Sequence, residues 1–274
     1  MMPNVKLYYY SEGSNFGDAV NPYILENIFQ KKCIPAAPDD AELFMIGSIL
    51  GKTSVSRGKI FKRTAHACKE VLSIWSSGFI REDISGKCIS RKLNVCALRG
   101  ELSLKLLEKI TGKKFNAVLG DGGLLISRLL KQLPEKKYQV GIIPHFVDEH
   151  LPEIAVLQEK IPGSVVISPL GDPVKCAEKI AECETVISSS LHGLIAADSF
   201  GIPNRQLVLS SNIVGGQFKY DDYHSVFSGA ATPLSFRDII NNGIDPDMIR
   251  ADCKISYDQV IEIQEQLINC FPFK

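Results

Sequence analysis

The stretch that decides the fold runs from Glu184 to Leu209 and reads ETVISSSLHGLIAADSFGIPNRQLVL. ETVIS is apolar and β-branched, and it suits a buried strand ending at Ser188. Ser188 or Ser189 is placed to cap a helix that carries Leu191, Leu194 and Ile195 at helical spacing. Gly201 stands where a left-handed residue ends a helix, with Pro203 just beyond it. LVL then opens another strand. The unit is strand, helix, strand, and three serines and His192 lie at its first bend. A helix N-terminus presents unpaired N–H groups and the positive end of its dipole, so this bend can receive an anion.

The same alternation extends in both directions. Upstream, YQVGII is a strand, PHFVDEH a loop, and Pro152 opens a helix. SVVIS is a strand, and Asp172-Pro173 cap and open the next helix, with proline at its favoured first position. Downstream, Ser256 with Gln259 three residues on has the capping-box pattern, and Val260, Ile263 and Leu267 give that helix a packing face. In the first half, NVKLYYY (residues 4–10), ELFMIG, VLSIW (71–75), NVCALRG and AVLGDGG read as strands. Asp18 is a natural N-cap for a helix with Val20, Ile24 and Ile28 on one face, which leaves Pro22 in its first turn. Leu102, Leu106 and Ile110 mark a second helix, ended by Gly112. Residues 50–70 show no clean period.

Strands alternating with helices at this spacing imply an α/β fold with parallel, doubly wound sheets. The chain has 274 residues, long for one core. The polar KQLPEKK (131–137) divides it into two Rossmann-like domains, 1–133 and 134–274, facing across a cleft. The helix at about 256–270 is expected to pack back on the first. Ligands in such sheets sit beyond the carboxyl ends of the strands. Asn15, Asp18, Ser48, Ser77, Arg99 and Asp121 fall there in the first half. His145, Ser168, Ser189 and His192 fall there in the second.

The 31 basic and 31 acidic side chains give a formal net charge of zero, which offers nucleic acid no basic surface. No stretch approaches the roughly 18 apolar residues of a membrane span. The start of the chain reads as a strand rather than an export signal. The eight cysteines are scattered without a CxxC pair and read as reduced thiols of a cytoplasmic protein. No GxGxxG joins a strand to a helix, a P-loop is absent, and no His/Cys group has zinc-ligand spacing. Neither a metal nor a cofactor is expected.

Taken together the motifs resemble the polysaccharide pyruvyl transferase family. The matching pieces are NFGD (Asn15–Asp18) followed by AVNP, GSIL from Gly47, WSSG from Trp75 and LRGELS from Leu98. LGDGG from Leu119, GIIPHFVD from Gly141, ISSSLHGLIAADSFGIP (Ile187–Pro203) and GGQFKYDDY (Gly215–Tyr223) complete the set in order. The resemblance implies a GT-B-like pair of domains, the first for acceptor and the second for donor. It implies transfer of pyruvyl from phosphoenolpyruvate to two hydroxyls of a sugar, giving a cyclic ketal and phosphate. The acceptor would be a saccharide, expected to be lipid-linked, met at the inner face of the membrane.

Such chemistry needs an acid/base near neutrality, and His192 is the natural candidate, with Asp18 as a second. Asn15, Arg99, His145, Ser188, Ser189, Ser190 and Lys219 are the expected substrate-binding residues. Each has a structural rival: Ser188 to Ser190 as caps, Asp18 as a helix cap, Asn15 and Asp121 as turn formers. Arg99 could pair with Glu101, and FKYDDY reads as an exposed loop. Ser190 stands where many members carry the arginine of Arg-Leu-His-Gly. Gly122 follows Gly120-Asp121 where many have proline. An arginine fork suits carboxylate or phosphate, so Arg99, Lys219, Arg205, or backbone and serine hydroxyls must take its place. Two other readings stay open: a glycosyltransferase using a nucleotide sugar, whose diphosphate suits the same helix start, and a non-enzymatic sugar-binding relative.

Overall fold

The structure, a computed structural model of the chain, describes residues 2–10, 15–56, 71–89, 91–227 and 229–273. The segment SEGS (11–14), Cys68 and the later part of the unassigned stretch, 57–70, lie outside the described residues.

Two five-stranded sheets form, and every pairing within them is parallel. The first runs in the order β2 (Lys32–Pro35), β1 (Asn4–Tyr8), β3 (Leu43–Phe44), β5 (Leu72–Ile74), β7 (Leu93–Val95). The second runs β11 (Ser164–Val166), β10 (Tyr138–Ile143), β12 (Cys183–Ser188), β13 (Asn204–Val208), β14 (Leu234–Ser235). Two small pairs stand apart: β4 (Ser54–Ser56) with β6 (Lys87–Ile89), antiparallel, and β8 (Ala97–Leu98) with β9 (Val118–Leu119), parallel. Each large sheet places its first strand between its second and third, the doubly wound order with a switch point beside that first strand. The switch points are β1/β3 and β10/β12, and the crevice beyond their carboxyl ends is where ligands collect.

The helices are α1 (Phe16–Asn27), α2 (Glu101–Thr111), α3 (Pro152–Lys160), α4 (Pro173–Ala181) and α5 (Leu191–Ser199). They continue with α6 (Phe218–His224), α7 (Phe236–Asn242), α8 (Pro246–Asp252) and α9 (Tyr257–Asn269). One buried cluster passes from Val5 and Leu7 of the first sheet through Trp75, Leu124 and Leu194 to Ile143 and Val186 of the second. Smaller clusters cover the outer faces, around Phe44 and Leu107 and around Ile142 and Leu157. Parallel sheets need both faces covered, and this arrangement supplies it. Helix α9 lies against the first half. Trp75 Nε1 donates to the Leu267 carbonyl (3.0 Å), Gln264 Nε2 to that of Leu124 (2.7 Å), and Phe29 stacks on Phe271.

Most local stops and starts follow the sequence signals. Gly112 and Gly201 adopt φ of 68° and 66° beyond their helices, and the Asp172 side chain accepts from Val174 and Lys175 N–H at the start of α4. Four local expectations are corrected. Asn15, not Asp18, caps α1, its Oδ1 accepting from Gly17 and Asp18 N–H. Pro22 therefore sits inside the helix, where it can donate nothing to the Asp18 carbonyl. The Asn21 side chain donates to that oxygen instead (2.9 Å) and also bonds the backbone of Ile46, tying α1 to the end of β3. Ser190, not Ser188 or Ser189, precedes α5. Ser256 precedes α9 without a side-chain capping bond. FKYDDY is helix α6, with Lys219, Tyr220, Asp222 and Tyr223 buried, not an exposed loop. Among the described residues, no helix is long and apolar enough to cross a membrane.

Candidate active site

The two switch points converge on one cavity of about 340 Å³. Asn15, Asp18 and Ser48 border it from the first half, and His145, Phe146, Ser190, His192 and Lys219 from the second. A neighbouring cavity of about 510 Å³ shares Ser48, Lys52 and Ile80 with it and runs on past Phe79, Arg81 and Lys87. Of the nine residues expected at the site, six border the first cavity: Asn15, Asp18, His145, Ser190, His192 and Lys219.

The other three lie beneath it. Ser188 Oγ donates toward the carbonyls of Ile143 and Ser190 and accepts from Ser190 N–H. Ser189 Oγ accepts from His145 N–H (2.8 Å), while its carbonyl accepts from Tyr220 Oη (2.7 Å). These two serines set the bend and do not line the cavity. Arg99 is 1% exposed and fully engaged. Its guanidinium donates to Asp222 Oδ2 (Nε, 2.9 Å), to Ser48 Oγ (2.7 Å) and to the Phe79 carbonyl (2.6 Å). Its partner is therefore Asp222, not Glu101. Arg205 is likewise spent on the Thr232 carbonyl and Asp252. Of the three cations considered in place of the family arginine, Lys219 alone borders the cavity.

Lys219 is 8% exposed, and Nζ lies 3.4 Å from His145 Nε2. Burial first, then the charge of Arg99, pull its pKa down to about 8, against the opposing pull of Asp18 and Asp148. An ammonium has three donors, so it retains capacity for an incoming anion. Ser190 adds a hydroxyl that no capping bond consumes. His145 is pushed down to about 4 by burial and by Lys219, so it faces Lys219 as a neutral ring.

The acid/base expectation changes in detail. Burial, followed by the charges of Lys219, Arg99 and His145, drives His192 down to about 3. His192 is thus a neutral imidazole. Asp18 moves the other way, to about 7, because burial outweighs the hydrogen bond from Asn15 Nδ2 (2.9 Å) and the charge of Lys219. The group poised near neutrality is therefore the carboxyl. The imidazole of His192 packs against Gly17: a Cβ there would sit 1.9 Å from Cγ and 2.1 Å from Nδ1. Glycine at 17 is thus a requirement of the histidine above it. Ser48, read from the sequence as a ligand-edge residue, borders the cavity; sequence reading missed Tyr10 and the apolar wall of Phe146, Val147 and Val214. It also missed the burial of Asp222, although the i, i+3, i+4 spacing of Lys219, Asp222 and Tyr223 is that of one helix face.

A family model described as polysaccharide pyruvyl transferase matches residues 15–205. An uncharacterized protein of Acanthamoeba polyphaga mimivirus is 25% identical over 231 residues, covering 81% of this chain and 74% of that protein. The succinoglycan biosynthesis protein ExoV of Rhizobium meliloti is 24% identical over 228 residues, 80% of this chain and 64% of its own length. Among solved structures, a functionally uncharacterized protein from Klebsiella pneumoniae aligns with a TM-score of 0.44 and 14% identity, covering 80% of this chain and 87% of that one. By the model that matches most of its length, this chain belongs to the polysaccharide pyruvyl transferase family.

Proposed function

We propose that the protein transfers the pyruvyl group of phosphoenolpyruvate to two hydroxyls of one sugar in a polysaccharide precursor, forming a cyclic ketal and releasing phosphate. The observation that carries this reading is Lys219, a buried ammonium at the cavity with donors to spare, beside a carboxyl that titrates near pH 7. Lys219, Ser190 and the N–H groups at the start of α5 would hold the donor's carboxylate and phosphate. Asp18, half protonated near neutrality, would protonate the enol methylene and build oxocarbenium character at the adjacent carbon. A sugar hydroxyl adds to that carbon, and its proton restores the acid. Phosphate then leaves by C–O cleavage, carrying the proton of the second hydroxyl as the ring closes. His192, a neutral imidazole, would relay that proton once the donor's negative charge lies beside it.

The acceptor saccharide would enter through the neighbouring cavity, whose Lys52, Arg81 and Lys87 suit a phosphate-bearing, lipid-linked sugar. Such an acceptor would place the work in the cytoplasm, at the inner face of the membrane. The two sheets would act as two GT-B-like domains divided near residue 133, with the donor on the second. The test is thermal stabilisation of the full chain by phosphoenolpyruvate and by a panel of nucleotide sugars, side by side. A ligand specific for the folded state at about 100 times its dissociation constant adds roughly 2.7 kcal/mol. Stabilisation by phosphoenolpyruvate is expected; stabilisation by nucleotide sugars alone would turn the reading to glycosyl transfer.

A further inference from the structure

Two buried polar atoms beside the cavity have no hydrogen-bond partner: His192 Nε2 and Asp121 Oδ2. Both residues approach the same glycine. A Cβ added at Gly123 would lie 3.0 Å from Asp121 Oδ1 and 3.8 Å from His192 Cδ2, the ring carbon bonded to Nε2. The Cγ–Nδ1 bond of the ring lies over Gly17 at the start of α1. The Cδ2 side of the imidazole, which leads to the buried Nε2, therefore faces Gly123 beside the Asp121 turn. Asp121 itself is fixed by its other oxygen, since Oδ1 accepts from Gly123 N–H (2.8 Å) at the start of the 122–129 segment. That bond leaves Oδ2 as the uncommitted acceptor of a fully buried carboxyl. Buried donors and acceptors are almost always paired. A ring nitrogen and a carboxylate oxygen, both orphaned on residues that approach the same glycine, call for one explanation.

We infer that Asp121 is the positioning carboxylate of His192, its Oδ2 accepting from Nε2–H across one water. The consequences follow from imidazole chemistry. With the proton held on Nε2, Nδ1 keeps its lone pair for substrate. When Nδ1 takes the proton of a sugar hydroxyl, the imidazolium forms next to a carboxylate that stabilises it. The same proton passes on to the departing phosphate, so nothing accumulates. Burial raises Asp121 to about 6 and lowers His192 to about 3, so near pH 7.5 an ionised carboxylate accompanies a neutral imidazole. The imidazolium forms only when a proton is delivered.

What the pair does rests on the pyruvyl-transfer reading; that the pair exists does not. The test uses the full-length chain with 15N-labelled histidine, the His192 ring signals being assigned by their loss in His192→Gln. The tautomer of the neutral His192 ring is then read near pH 7.5 from its two nitrogen signals in the wild type, in Asp121→Asn and in Asp121→Ser. Asparagine keeps an oxygen for the Gly123 N–H, so the turn is retained, and its amide N–H2 replaces the acceptor oxygen Oδ2. The wild type should carry the proton on Nε2, and Asp121→Asn should move it to Nδ1. Asp121→Ser, which offers the turn a hydroxyl and His192 no carboxylate, should lower the share of the Nε2–H form and serves alone if the first variant does not fold. An unchanged tautomer in whichever variant folds overturns the pairing. In parallel, phosphate release from phosphoenolpyruvate should lose about 10²-fold or more in kcat with KM held in Asp121→Asn. No release even by the wild type would count against pyruvyl transfer while leaving the spectroscopic answer standing.

Discussion

An ammonium held beside a second buried cation is costly unless an anion joins it, and Lys219 stands in that position relative to Arg99. Replacing it with methionine keeps the bulk and removes the charge. A hydrogen bond to a charged group contributes about 1.5–3 kcal/mol, so the phosphoenolpyruvate dissociation constant should rise roughly 10- to 100-fold, readable by titration calorimetry. In the wild type that constant should stay level below about pH 8 and climb above it, as Lys219 loses its proton. Asp18 has the opposite logic, since its acid form is the useful one. Asp18→Asn should cut kcat by about 10²–10⁴ and erase the fall in activity as pH rises through about 7. A variant retaining that limb would return the acid role to another group.

Helix α1 shows how an element is shaped by what crosses it. Its cap, Asn15, also donates to Asp18, so one side chain starts the helix and orients the carboxyl. Its proline is accommodated because Asn21 takes over the stranded Asp18 carbonyl. Gly17 is small because His192 from α5 rests on it. Gly17→Ala should therefore displace the imidazole, lowering stability by about 1–3 kcal/mol through overpacking and removing most activity. Urea denaturation alongside the phosphate assay separates the two losses. Helix α2 is the complementary case. Gly100 offers no capping side chain, and the N–H groups of Glu101 and Ser103 are met instead by Ser225 Oγ (2.8 Å) and Asp222 Oδ1 (2.7 Å) of the distant α6 region. Gly112 and Gly201 could be read as helix ends because left-handed backbone is a local property. The start of α2 could not, because its caps come from more than a hundred residues away.

At the scale of the molecule, the Arg99–Asp222 pair joins the two halves under the cavity, with both side chains buried. Removing one partner of such a pair costs about 3–5 kcal/mol. Asp222→Ala should lose that much in urea, more than truncating any exposed ion pair such as Lys105–Glu101. The pH dependence of stability has a definite sign. Asp18 and Asp198 sit near 7 and Asp121 near 6, each raised above its unfolded value chiefly by burial. Their contribution is complete below about pH 4 and is lost as pH rises through 6–7. His192, His145 and His224 are lowered chiefly by burial, to about 3, 4 and 4. Their contribution is present above about pH 6.5 and is lost as pH falls through 4–3. The two sets oppose one another between pH 4 and 6.5, and Lys219, lowered to about 8, opposes the carboxyls above that. Asp198→Asn removes one term that falls between pH 6 and 8, so its urea midpoint should change more favourably from pH 6 to pH 8 than that of the wild type; an unchanged pH dependence would contradict the burial of Asp198.

The sequence by itself determined the parallel α/β architecture, several helix ends and the order of the motifs. Strand periodicity, glycine punctuation and proline placement are fixed by neighbours a few residues apart. It also pointed to six residues that border one cavity, because ligand edges follow from strand direction. What only the tertiary structure decided is the role of each polar group once it is buried. Arg99 is spent on Asp222, Ser188 and Ser189 build the bend, and Lys219 keeps donors to spare. The lowered pKa of His192 arises from desolvation and from the charges of Lys219 and Arg99, and the raised pKa of Asp18 from desolvation that outweighs Asn15 and Lys219. Proton affinity is set by the dielectric and the charges around a group, and those are assembled by folding.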